Sequence, residues 1–286
     1  MEALSPTTTR SSTDRTTLVR LLGPEALGVL HRISTQSLLD LRTGEARATL
    51  FCDFRGRALH RAVVAATSDG ALWLLRDDAP GDALLEFVDR HLFRERVTLS
   101  DLGAGRVVRP VAGGVGHAPG TVIDHGGMPQ SVQLDWQFAL RIEPAGTPEN
   151  EYEETERIIH GRPRHGHEIR DAFNPFEIGC AHGVHLSKGC YTGQEALLRL
   201  VTYHSVRRQL ARVRGAGVPP EPATTLLHES ERVGVITSAV PHGLGWIGLA
   251  VIQRAALRPA TQLMIEGGGL IEAPEPVREA KPLGLP

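Results

Sequence analysis

The sequence predicts an α+β fold with a larger N-terminal module and a small C-terminal antiparallel β-barrel. Three observations carry that reading. Helical spacing and short apolar strands alternate through residues 15–205. Beyond residue 206 the texture changes to five short strands separated by Gly/Pro turns, the rhythm of a small barrel. A hydrophobic fraction of 41% over 286 residues suffices for about two cored domains.

Composition narrows the function. Thirty-three acidic against 31 basic residues leave a net charge of −2, too weak a field to hold a nucleic-acid backbone or an anionic membrane. The longest strictly apolar runs, 62–66 and 71–75, fall far short of the ~20 residues of a spanning helix. Cys52, Cys180 and Cys190 are too few, and odd in number, for a disulfide framework. The expectation is a cytoplasmic protein. Basic residues are nearly all arginine, lysine occurring only at positions 188 and 281. Asparagine (Asn150, Asn174) and tyrosine (Tyr152, Tyr191, Tyr203) are almost as scarce. Lys188, Cys190 and Tyr191 therefore stand out by falling together.

Residues 1–14 are Ser/Thr-rich without an apolar stretch and read as a flexible leader. Leu18 to Leu22 reads as a strand closed by Gly23-Pro24, and Glu25 to His31 as a short helix. Ala46 to Cys52 and Ala58 to Ala66 read as paired strands around Phe54-Arg55-Gly56-Arg57. Ala71 to Leu75 is a third strand. Leu84, Leu85, Val88 and Leu92 give Ala83 to Phe93 one apolar helical face. Val97 to Leu102 returns to strand. Residues 103–130, rich in glycine, show little periodicity; Gly113-Gly114-Val115-Gly116 lacks the Gly-Lys-Ser/Thr of a phosphate loop. The acidic run from Thr147 opens a helix reaching Ile159. Strands are then expected at 208–214, 224–228, 232–239, 245–252 and 262–265, giving a barrel over 206–270. Four prolines make 271–286 a loose tail.

The most informative stretch is Lys188-Gly189-Cys190-Tyr191-Thr192-Gly193-Gln194-Glu195. It reads as a loop opening a helix, with Thr192 as N-cap and Glu195 completing a Thr-x-x-Glu capping box. Gly189 and Gly193 bracket the cysteine and permit positive φ and close backbone approach. Cys190 sits near a helix start and beside Lys188, a setting that favours a reactive thiolate; an inert cysteine ahead of an ordinary helix is the alternative. Glu195 has two readings, cap or ligand contact. Cys180-x-His182-x-x-His185, among five histidines at positions 160–185, fits no standard metal spacing, and no metal is expected.

This signature resembles that of the YgfZ family, folate-binding proteins related to the glycine cleavage T protein, an aminomethyltransferase. Arg157-Ile158-x-x-Gly161-x-Pro163, Pro175-x-Glu177, Arg199, Tyr203 and Arg207-Arg208 match further family motifs. The barrel segments 234–239 and 245–248 resemble those of both families, and 22–57 their N-terminal module. The likeness spans about residues 18–265. Three departures stand out. His204-Ser205 replaces an Arg-Gly, Ile159 replaces the T protein's folate-contacting acid, and residues 71–78 (ALWLLRDD) lack its Asn-Ala-Asn strand with the catalytic Asp. Asp77 and Asp78 are the acids that could substitute, but they read first as a surface turn before a helix.

The resemblance implies a two-subdomain folate module over 15–205 that binds tetrahydrofolate or its 5-formyl form. It makes Cys190 and Lys188 the reactive residues. The cofactor-binding set would be Arg157, Tyr191, Gly193, Gln194, Glu195, Arg199, Arg207 and Arg208, whose guanidinium groups suit an anionic glutamate tail. It further implies an accessory role toward iron–sulfur client enzymes, including those that modify tRNA. One-carbon transfer of the T-protein type is the alternative.

Overall fold

A computed structural model describes residues 16–135, 138–146, 154–258, 261–277 and 281–285. The expected leader and the acidic run 147–153 lie outside the described residues. Contacts divide the chain into two units, one from 1–24, 43–46 and 64–148, the other from 25–42, 47–63 and 149–286. The division does not follow the expected boundary at 205/206, because the barrel groups with the Cys190 segment.

The first unit is built on sheets. Strands β1 (Thr17–Leu22), β2 (Ala46–Cys52), β3 (Ala58–Ala66), β4 (Leu72–Arg76) and β5 (Thr98–Asp101) form a sheet in the order β2-β3-β4-β1-β5, of which residues 47–63, most of β2 and β3, group with the second unit. The β2–β3 hairpin matches the predicted bounds, because mostly apolar segments end at the tight turn around Gly56. Helix α1 (Ala26–Ile33) follows β1 in the chain and belongs to the second unit. Helix α2 (Asp82–Asp89) buries Leu84, Phe87 and Val88. It stops short of the predicted Phe93, which is 84% exposed and has nothing to pack against.

A four-stranded sheet, β6 (Arg106–Ala112), β9 (Phe138–Pro144), β8 (Met128–Gln133) and β7 (Thr121–His125) in that order, begins in the stretch read as aperiodic and continues beyond it. Its glycines are turn residues. Gly126 and Gly127, both at positive φ, make the two-residue β7–β8 hairpin, a backbone only glycine adopts cheaply at both central positions. Trp73, buried in β4, donates its indole N–H to Thr67 Oγ1 (3.1 Å) and Gly127 O (3.0 Å), tying the two sheets.

The second unit combines α1, α3 (Glu154–Ile159), α4 (Gln194–Thr202) and a closed barrel. The barrel order is β10 (Arg208–Ala216), β13 (Gly245–Gln253), β12 (Glu231–His242), β11 (Thr225–His228), β14 (Leu263–Ile265) and β15 (Leu270–Pro276). The tail expected to be loose thus supplies β15, whose pairing with β10 and β14 closes the barrel. A closed barrel leaves no free edge, and that requirement outweighs the prolines. Because successive side chains of a strand face opposite ways, β13 serves two cores. Leu249 and Val251 join Phe173, Ile178, Val184 and Leu197 in one. Ala250 and Ile252 join Trp246, Ile236 and Leu226 inside the barrel.

Candidate functional site

The signature loop is held by backbone geometry. Helix α4 starts with Gly193 as N-cap at φ +84, and no side chain caps it. The predicted Thr192 cap and capping box do not form; Glu195 instead pairs with Arg199 one turn on, an exposed i,i+4 pair of little energetic weight. Gly193 is required for a second reason. A Cβ there would strike the carbonyl of Asp53 and crowd the Cα of Gly56 (3.0 Å). The β2–β3 turn, ordered by Asp53 Oδ1 accepting from Arg55 N (2.9 Å) and Arg57 N (2.8 Å), thus abuts the helix start. Gln194 reaches back to donate its side-chain amide to Leu186 O (2.8 Å), closing the loop at its base.

Within that loop Cys190 is an exposed free thiol, whereas Cys52 and Cys180 are buried. Burial, with the nearby Asp53 and Cys180, pushes the Cys52 thiol far up, so it stays protonated and unreactive. Lys188 differs from the expectation. Its ammonium donates to the His31 carbonyl and lies over the Tyr191 ring, 4.9 Å from the centroid. Burial lowers its pKa to about 8. His31 returns the contact: its Nδ1 accepts the Leu38 N–H (3.0 Å), which leaves the proton on Nε2 to donate to Lys188 O (3.2 Å). The two residues clamp the loop to the end of α1. Tyr191 is buried, its hydroxyl without a hydrogen-bond partner, and burial raises its pKa.

The four arginines assigned to a ligand separate. Arg157 is 5% exposed, and its five N–H donors all have acceptors within the protein. Nε and one Nη2 proton go to Glu154 (3.0 and 2.6 Å), the other Nη2 proton to Ser238 Oγ (2.6 Å), and Nη1 to Arg162 O (2.6 Å) and Glu168 (3.1 Å). Burial opposes its charge, but Glu168 and Glu154 outweigh that and raise its pKa further. It has no donor left for a ligand. Arg208 forks onto Glu177 (2.7 and 3.0 Å), donates to Ala172 O (3.2 Å) and stacks on Phe173. Arg199 and Arg207 are exposed.

Sequence reasoning missed Asn174, Arg57 and His31. Asn174 Oδ1 accepts the N–H groups of Phe176 (3.0 Å) and Glu177 (3.2 Å), shaping the Pro175-x-Glu177 turn; Arg57 adds a 3.5 Å contact to Glu177. The scarcity of asparagine marked Asn174, but nothing in its neighbours marked His31. The five histidines go separate ways. His165 stacks on His60 with centroids 5.4 Å apart, His160 meets Glu156 (3.5 Å), and His167 donates from Nδ1 to Thr237 O (2.8 Å) while Nε2 faces Arg164. His185 Nδ1 accepts Ser187 N–H (3.3 Å), and His182 is exposed.

One groove of about 250 Å³ lies on the second unit, between α3 and the barrel, with Ile158, Ile159, Arg212 and Glu275 among its walls. That is below the ~300–1,000 Å³ of sites for drug-sized ligands, and none of the assigned ligand residues lines it.

No family model matches the chain. A stretch of 102 residues, 35% of the chain, is 36% identical to a chloroplastic protein of Arabidopsis thaliana whose name assigns it provisionally to the transferases; the match covers 23% of that protein's length. The folded chain superposes on the crystal structure of the glycine cleavage system aminomethyltransferase T from Bartonella henselae with a TM-score of 0.71, over 91% of this chain and 82% of that one, at 15% identity. The chain has the T-protein fold. At that identity the likeness establishes architecture, and the Arabidopsis match spans less than a quarter of its relative. No helix among the described residues is long and apolar enough to cross a membrane.

Proposed function

We propose that the chain is a tetrahydrofolate-binding accessory protein of the YgfZ kind, acting in the cytoplasm through Cys190 on iron–sulfur client enzymes, tRNA-modifying ones included. The observation that carries the reading is the exposed thiol on a clamped loop at the head of α4, in a chain with the T-protein fold. The residues fit a folate in part. Tyr191 offers an unpartnered buried hydroxyl, and exposed Arg199 and Arg207 can exchange into contact with the glutamate-tail carboxylates. Arg157 and Arg208 are committed elsewhere and leave the set. Bound tetrahydrofolate would supply a one-carbon carrier. The chain's own residues orient it, hold its tail, and present a thiol to the client.

The second reading, one-carbon transfer, draws on the Arabidopsis relative's name. It needs an acid to handle the proton at the folate nitrogens. Asp78, one of the two candidates, is turned to Arg76 at 3.4 Å with both side chains buried. That withdraws Asp78 from the role.

Thermal denaturation with tetrahydrofolate and its 5-formyl form tests the reading. Saturation at ~1,000 times Kd should add about 4 kcal/mol of stability. Arg199→Ala should weaken folate binding by about 1.5–3 kcal/mol, and Arg212→Ala on the barrel should not. Cys190→Ser should fold and bind folate like the parent yet fail to support the client. No thermal shift at millimolar folate defeats the folate reading, and a Cys190→Ser protein that sustains its client defeats the thiol.

A further inference from the structure

Residues 281–285 lie along the segment that leads into the Cys190 loop. Leu283 forms a parallel bridge with His185. Its N–H donates to Val184 O (2.8 Å), and its carbonyl accepts the Leu186 N–H (2.9 Å). Gly284 follows at φ +62, where a Cβ would strike the His185 ring and Ser187 Oγ. This position therefore accepts a residue without a side chain. Val184 and Leu186 are buried in the core, so the edge they offer is main chain. The two leucines of this segment are only half covered in return: Leu283 is 47% and Leu285 45% exposed.

Main-chain bonds thus hold the strap, supported by the partial cover of two leucines. Two net hydrogen bonds and two half-covered leucines do little more than offset the entropy of ordering such a segment. Leu186 connects the strap to the loop, since its N–H faces Leu283 and its carbonyl accepts Gln194. We propose that the 184–186 edge is a peptide-docking site, that residues 281–285 are a displaceable internal strand upon it, and that an extended partner segment with glycine between two apolar residues takes their place. Strand addition of this kind draws affinity from main-chain bonds and selectivity from the residues that must be small. The proposal stands apart from the folate reading, and its test uses no folate.

Two full-chain variants test it. Leu283→Pro removes the N–H given to Val184 O, and Gly284→Val collides with His185 and Ser187. Amide hydrogen exchange at Leu186 should quicken at least tenfold in both, with the melting temperature nearly unchanged, because only a locally stable element is lost. Alkylation should remain confined to Cys190, the buried Cys52 and Cys180 reporting an intact core. A labelled Lys-Pro-Leu-Gly-Leu-Pro peptide, the sequence of residues 281–286, should bind both variants at least about tenfold more tightly than the parent, whose own strand competes. The same peptide with valine for glycine should not bind. Unchanged exchange at Leu186, or no binding of the peptide to either variant, overturns the proposal. So does loss of folding in both, since a displaceable strand can leave without unfolding the protein.

Discussion

Lys188 carries a charge that the fold partly withdraws from water. The His31 carbonyl and the Tyr191 ring compensate it only in part, which is why burial lowers its pKa from 10.5 to about 8. The unfolded chain therefore binds more protons than the folded one between about pH 8 and pH 10.5, and stability should rise with pH across that window. Urea unfolding from pH 7.5 to 10.5 should show this rise in the parent and a flatter course in Lys188→Met. A parent curve that falls relative to the variant would mean that the ammonium is better solvated than its position indicates. The motif was legible here, but the direction of its lysine was not. Sequence adjacency placed the charge beside Cys190, whereas the side chain is long enough to reach α1, 157 positions away in sequence.

At the scale of elements, mostly apolar strands flanking a tight turn were legible, as β2 and β3 show. The β6–β9 sheet was not. Its glycines lie at hairpin turns and dilute the alternation of short strands. Helix α4 illustrates a different failure. Thr192 and Glu195 have the spacing of a capping box, but the close approach of the β2–β3 turn demands glycine as N-cap, and tertiary packing overrides the local preference. The two loop glycines should therefore respond unequally to alanine. Gly189→Ala meets open space at φ +109 and should cost only the backbone strain, about 1–2 kcal/mol. Gly193→Ala adds the collision with Asp53 and Gly56 and should cost more, above about 3 kcal/mol. Chemical denaturation distinguishes the two, and equal losses would mean that the turn yields to the added methyl.

On the scale of the molecule, a buried polar cluster pins the barrel to the rest of its unit. Glu168, fully buried, accepts from Arg157 on α3 (3.1 Å), from Arg164 N (3.0 Å) and from the hydroxyls of Thr237 and Ser238 on β12. The sequence marked Arg157 through its family motif, but a motif does not say whether an arginine faces a ligand or the core. Here the count of donors decides, because none is left over. Removing one partner leaves the other charge buried and incompletely paired, so Arg157→Met and Glu168→Gln should each cost about 3–5 kcal/mol. Removing both leaves no unpaired ion, and the double variant should be destabilised by at least about 1 kcal/mol less than the sum of the single changes. Urea denaturation of the four proteins, followed through the buried Trp246 in the barrel core, measures that coupling. Additive losses would mean that Arg157 and Glu168 act separately, each through its other partners, and that α3 is held to the barrel chiefly by apolar contact.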